Sequence, residues 1–324
     1  MGWSRIKAGF VLVVGLLISM QPVPGSAKVF VVASTLDMAD FTRQVGGQRV
    51  EVYPISTGKF DLHFFEPLPS QAMKLGRADL LVIGGLDIDV WIQGLIEASR
   101  NARIQFGAPG YVDPAVGVRP LDVPVGSIDG SMGDVHPYGN PHFWFTPENV
   151  EIAVRNITKG LIRVDPEGAA YYERNRDRYL EQVKATFEEL QEKMRPFRKT
   201  AVLQYHSSWD YFCLAMGLEI CGNLEPKPGI PPTPGHLREI VKQANATNAK
   251  LILVEPYYPK RPVRFVEKQT GARVLRLPLY LGGEKGIDTY LDNLRYIVNA
   301  LVSELGKHGT IPERNSRSRE RTPA

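Results

Sequence analysis

Between Asp165 and Met194 a single proline, Pro166, stands at the start and none follows, and this stretch constrains the fold more than any other in the chain. Asp165 followed by Pro166 suits an N-cap and first turn, where a fixed φ and a missing N–H cost nothing. Tyr172, Tyr179, Val183, Phe187, Leu190 and Met194 then recur at three, four or seven residues, drawing one apolar stripe along an otherwise highly charged helix. At 1.5 Å per residue, about 29 residues reach roughly 43 Å, longer than one small domain is wide. A coiled-coil partner would bury such a stripe; so would two lobes packed along a shared strut.

The flanking sequence decides for the strut. On both sides short β-branched runs alternate with amphipathic stretches, the pattern of strands crossing over through helices. Strands are predicted over 28–33, 50–55 and 80–83 before the long helix, and over 200–205, 218–221, 251–254 and 273–277 after it. Helices are predicted over 36–45, 69–76 and 89–100, then over 208–216, 234–245 and 288–305. Residues 107–140 are rich in Gly, Pro and Asp without a sustained period and read as a long functional loop. The expected fold class is therefore α/β, two lobes (28–163 and 197–305) with parallel-type sheets, joined by one long rigid backbone helix (164–196).

Both termini read as lying outside this body. Residues 1–27 have the build of a secretory signal: Arg5 and Lys7, an apolar run over 8–20, then Pro22, Pro24, Gly25 and small residues to Ala27, after which cleavage is expected. An apolar run of about 13 residues is too short to span a bilayer, and no cysteine follows it to carry a lipid. At the other end, 306–324 carries Arg314, Arg317, Arg319 and Arg321 with almost nothing apolar and reads as a disordered basic tail. The net charge of +4 rests on 39 Lys+Arg against 35 Asp+Glu, and losing the signal leaves about +2, so no nucleic-acid surface is indicated.

Six histidines and two cysteines carry the remaining chemistry. His63 lies in the loop after the second strand, His142 ends the long loop, and His206 directly follows the strand over 200–205. Two loop histidines from the first half and one from the second suit a metal in the cleft between lobes, because neutral imidazole is a favoured donor for zinc and its neighbours. Spacing alone does not establish such a site, since there is no His-Glu-x-x-His and no Cys-x-x-Cys. Cys213 and Cys221 fit either a disulfide in an exported chain or two buried thiols.

In order and context, the segments Asp61-Leu62-His63 through Pro69-Ser70, Pro141-His142-Phe143-Trp144, Tyr205-His206-Ser207-Ser208-Trp209-Asp210-Tyr211-Phe212 and Val254-Glu255-Pro256 resemble the cluster A-I substrate-binding proteins of zinc and manganese ABC transporters. The resemblance covers nearly all of 28–305. It implies two α/β lobes on a backbone helix with the metal between them, and His63, His142 and His206 as its ligands. In manganese-type members the third position is usually a carboxylate; an all-nitrogen set favours zinc over manganese. The usual fourth ligand, an aspartate, is replaced here by Leu277 in Arg276-Leu277-Pro278-Leu279. Water, Glu255 or His136 could take that position, water ranking first because three histidines with an open site is an established zinc arrangement. His136 otherwise reads as a solvated loop histidine, near Asp129 and Asp134, with a transient metal-collecting role as the alternative. Asp61 and Glu66 flank His63 and could orient its ring, while His236 and His308 read as surface residues.

The function implied is a periplasmic zinc receptor that delivers the ion to the membrane permease and ATPase of an ABC importer, acting as a monomer and not as an enzyme. A manganese or iron receptor of the same family, or a three-histidine zinc hydrolase, are the alternatives. Zinc affinity is expected to fall below about pH 6.5, where an unperturbed imidazole takes up a proton.

Overall fold

In the computed structural model, residues 27–126 and 133–307 are described. The expected signal segment up to residue 26, Asp129, His308 and all but the first two residues of the expected tail lie outside them. Among the described residues no helix is long and apolar enough to cross a membrane.

Two four-stranded parallel sheets form the frame. The first holds β1 (Val29–Ala33), β2 (Val50–Pro54), β3 (Leu80–Val82) and β4 (Tyr111–Val112) in the order β2-β1-β3-β4. The second holds β5 (Ala201–Gln204), β6 (Glu219–Asn223), β7 (Leu251–Val254) and β8 (Arg273–Arg276) in the matching order β6-β5-β7-β8. Both halves thus share one topology, three parallel crossovers, the first to one side of the opening strand and the next two to its other side.

Apolar residues fill both faces of the inner strands β1, β3 and β7, as a sheet covered on two sides requires, while the edge strands β2, β6 and β8 expose Glu51, Glu219 and Arg273. Val31 and Ala33 of β1 face a central core that also takes Val202 of β5 and Leu251 and Leu253 of β7. Their neighbours Val32 and Leu81 face an outer cluster under α2 (Pro69–Arg77) and α3 (Ile92–Ser99). Leu203, Ile252 and Val254 face a corresponding cluster under α7 (Pro234–Thr247) and α8 (Lys260–Thr270). Between the sheets run α1 (Leu36–Gly46), α4 (Pro147–Val164), α5 (Ala169–Met194), α6 (Asp210–Met216) and α9 (Tyr290–Gly306), all contributing to the central core. Capping is repetitive: Thr35, Thr146, Thr233 and Thr289 each accept a backbone N–H from the first turn of α1, α4, α7 and α9.

The strut is α5. Its 26 residues span about 39 Å, and the six stripe residues are all at most 2% exposed. Asn175 on α5 donates to the Val45 carbonyl of the first lobe, while Thr186 and Gln191 meet Arg295 and the Ala215 carbonyl of the second. The start of the helix differs from expectation. Residues Pro166–Gly168 form a separate 3-10 turn, and the Asp165 carboxylate takes a bidentate contact from Arg49 and the Tyr172 hydroxyl instead of capping. Helices α4 and α8 and strand β4 add to the expected elements; Thr146-Pro147 ahead of α4 is a start signal of the same kind as Asp165-Pro166.

Cys213 and Cys221 are both free thiols, so no disulfide joins them. The reason is topological: Cys213 on α6 packs into the central core, whereas Cys221 on β6 packs against the outer cluster under α7, on the opposite face of the sheet.

Candidate metal centre

The cleft opens at the carboxyl ends of the strands of both sheets, where doubly wound folds place ligands because the crossovers diverge there. Each candidate histidine reaches it from a different local structure. His63 sits in a short 3-10 turn, Leu62–Phe64, whose first N–H groups are unsatisfied by the turn itself. Asp61 caps it, accepting from His63 N at 3.0 Å, and the Trp91 indole N–H holds the Leu62 carbonyl at 3.0 Å. His142 precedes the buried turn Phe143–Phe145 that leads into α4. His206 lies two residues beyond the end of β5, in the loop that opens α6.

The structure brings these three together. Their ligating nitrogens lie within 4.8 Å of one another, and the ring centroids are separated by 5.5 Å (His63 and His142), 5.2 Å (His63 and His206) and 5.5 Å (His142 and His206). All three side chains are shielded: the ring of His63 is 3% exposed, and His142 and His206 are buried at 1% and 5%.

Each ring is held at Nδ1. The Asn140 amide nitrogen donates to the Ser207 carbonyl at 2.8 Å, which turns its oxygen toward His142; that oxygen accepts from both His142 N and His142 Nδ1 at 3.0 Å. Glu225 Oε2 stands 2.9 Å from His206 Nδ1. Asp134 Oδ2 stands 3.3 Å and His136 Nε2 3.1 Å from His63 Nδ1. Carboxylate and amide oxygens can only accept, so they place the proton on Nδ1 and leave Nε2 with its lone pair. The Nε2 of His63 is buried without a hydrogen-bond partner, the state of a donor atom awaiting a ligand.

The three rings differ in charge preference. Burial holds His63 and His142 well below the ordinary imidazole value, helped by repulsion from neighbouring histidines. Burial also opposes charge on His206, but the hydrogen bond and charge of Glu225, with Glu255 and Asp61 beyond, outweigh it and raise its pKa. Of the three rings, His206 is thus the one that takes up a further proton most readily.

The remaining candidates take other places. His136 is not a solvated loop residue: it is half-buried, its pKa is lowered to about 4 by burial, and with His63 and Asp134 it forms a second group of ligand atoms within 4.8 Å of one another. A cavity of about 200 Å³ beside the rings is lined by His136, His142, His206, Val135, Asn140 and Pro228. Asp61 caps the backbone of His63 rather than orienting its ring, and Glu66 is exposed and belongs to neither group of ligand atoms. Glu255 is fully buried, and burial pushes its carboxyl up to about 7 against the Ser208 hydroxyl and the charge of His206; it too stands outside both groups. Leu277, at the usual position of the fourth ligand, is 2% exposed within the central core. His236 is half-buried, its Nε2 3.0 Å from the Asn223 carbonyl.

Sequence patterns left Glu225 and Asn140 unmarked. A carboxylate two residues past the end of β6, on the edge of the sheet that carries His206, was the one available signal for Glu225.

A family model described as the periplasmic zinc-uptake complex component A, ZnuA, matches residues 31–304. The chain belongs to this family. Its relatives include the manganese ABC transporter substrate-binding lipoprotein ScaA of Streptococcus gordonii, 28% identical over 293 residues and covering 87% of this chain and 90% of its own. The iron-binding protein YfeA of Yersinia pestis is 27% identical over 293 residues, with 87% and 88% covered. A crystal structure of ZnuA superposes with a TM-score of 0.71 over 86% of this chain and 99% of that one, at 22% identity, and shows the same fold. Among the described residues, the two groups of side chains that could hold a metal ion both lie in this cleft and share His63.

Proposed function

We propose that the protein is a periplasmic zinc receptor of an ABC importer, holding the ion through Nε2 of His63, His142 and His206 and presenting it to the permease. The observation that carries this reading is the convergence of three buried imidazoles, each with an acceptor at Nδ1. Zinc suits a tetrahedral site with three histidines and one open position, and the absence of a carboxylate among the three ligands sets the site apart from oxygen-rich manganese centres. Water from the adjoining cavity completes the coordination. His136 stands at the far nitrogen of His63 and supports that ring rather than joining the ion. Family membership speaks for a receptor over a three-histidine hydrolase.

Delivery follows from differential binding: an ion that bridges ligands from both lobes favours one arrangement of them, and docking to the permease must oppose it for the ion to leave. The names of the relatives include manganese and iron, so the metal is the point to test. Metal analysis of protein purified without an affinity tag should find zinc. Calorimetric titration of the chelated protein should then give one zinc site, with manganese and ferrous iron competing poorly. Unchanged stoichiometry and affinity in His142→Ala would overturn the site, and tighter binding of manganese would overturn the choice of ion.

A further inference from the structure

Tyr258 lies four residues past the end of β7 in the second lobe, yet its hydroxyl donates to Asp61 Oδ2 in the first lobe at 3.1 Å. The other oxygen of the same carboxylate caps the turn that carries His63, accepting from His63 N at 3.0 Å. On its own side, the ring of Tyr258 stacks on Tyr205 (4.2 Å between centroids, 17° between planes) and lies 6.2 Å from His206 at 30°. Its backbone is fixed as well: Arg276 donates to the carbonyls of Tyr258 and Glu255, both at 3.2 Å, and Tyr258 N donates to Glu255 O. One side chain therefore packs beside the ligand of the second lobe and, through a single carboxylate, grips the backbone of a ligand from the first.

The placement of Asp61 makes this contact consequential. Its side chain is half-buried between the lobes, so an accepting oxygen that loses its donor there is left to poor solvation. The turn 62–64 has a second anchor, the Trp91 indole on the Leu62 carbonyl, but that anchor belongs to the same lobe and moves with it. Of these two anchors of the turn, only the Tyr258 contact depends on how the lobes are set against each other.

We propose that the Tyr258 hydroxyl is a positioning group across the cleft, which fixes His63 through Asp61 and slows departure of the bound ion without governing its entry. Entry occurs before the lobes hold this hydrogen bond; departure must break it. The inference rests on the reading that the three histidines bind the ion.

The test is stopped-flow release of zinc into excess chelator, paired with association rates, on the mature protein. Tyr258→Phe keeps the stack on Tyr205 and removes only the hydroxyl; release should accelerate about tenfold, the low end for a hydrogen bond to a charged group, with association changed less than about twofold and the melting temperature of the metal-free protein held. Asp61→Asn should stay near the parent, because its oxygen still caps His63 and its amide can donate to the tyrosine oxygen. Asp61→Ala should release at least as fast as Tyr258→Phe, and adding Tyr258→Phe to it should give no further acceleration. Release from Tyr258→Phe at the parent rate, or effects of Tyr258→Phe and Asp61→Ala that multiply, would overturn the proposal. His142→Ala in the same assay separates the two levels: if it retains zinc like the parent, the metal site itself is misassigned and the proposal goes with it; if it loses zinc while Tyr258→Phe is unchanged, only the proposal falls.

Discussion

The two lobes share a strand order and a capping habit, but they hand over histidines of different character. The second lobe supplies His206 from the end of a strand, hydrogen-bonded to the buried carboxylate Glu225 and charged more readily than a free imidazole. The first lobe supplies His63 and His142 from loops, one held by an amide and the other by a half-exposed Asp134 with His136, and both resist protonation. A rigid strand end can carry a carboxylate partner in close register, since β5 and β6 are adjacent strands of one sheet. Loops that must reach across from the long segment before α4 find their partners in other loops. The difference teaches that three residues of one type are not equivalent: one ring has a carboxylate partner and takes up a proton more readily, and two are buried in ways that disfavour charge.

The largest effect tests whether the second-lobe histidine is indispensable to the proposed site. His206→Ala should weaken zinc binding more than about 100-fold, at least about 2.7 kcal/mol, in a chelator-competition titration, while the metal-free protein still folds. A loss below about tenfold would mean that the first-lobe pair binds the ion by itself.

Glu225→Gln keeps an acceptor at Nδ1 of His206 and removes the charge. Zinc affinity at neutral pH should drop about 30-fold, within the range for such partners. The sign of the pH effect follows from competition between proton and ion. Because the pKa of His206 is raised, affinity in the parent should begin to fall as pH drops while still above about 6.5, by up to about tenfold per unit for one proton. In Glu225→Gln that onset should move to lower pH; an onset that stays put would show that another group titrates.

Asn140→Ala is the first-lobe counterpart. It should cost about tenfold in affinity through loss of ring orientation, and leave the pH profile where the parent has it, because no charge is removed. A shifted profile would erase the contrast between the lobes. The smallest effect is expected from His136→Ala, about threefold in affinity by the same titration, since Asp134 still faces Nδ1 of His63. A loss comparable with His206→Ala would instead make His136 a ligand.

Much of this architecture was legible in the residues. The stripe from Tyr172 to Met194 announced α5, and runs such as Leu251–Val254 announced strands covered on both faces, because burial repeats with the period of the element. The three histidines stood out by their loop positions, but their partners did not. Glu225 is 19 residues from His206 and Asp134 is 71 from His63, separations over which no local period operates. The same limit governed the cysteines. Eight positions apart, Cys213 and Cys221 look like neighbours, and only the intervening sheet shows that they face opposite clusters.

By itself, then, the sequence determined the periodic elements, the two-lobed α/β plan and the identity of the candidate ligands, since these depend on spacing and residue chemistry. Tertiary structure decided which nitrogen of each ring meets a partner, which ring is most readily protonated, and that Tyr258 of one lobe reaches Asp61 of the other. Those outcomes depend on distances of about 3 Å and on exclusion of water, which arise only once segments far apart in the chain are packed together.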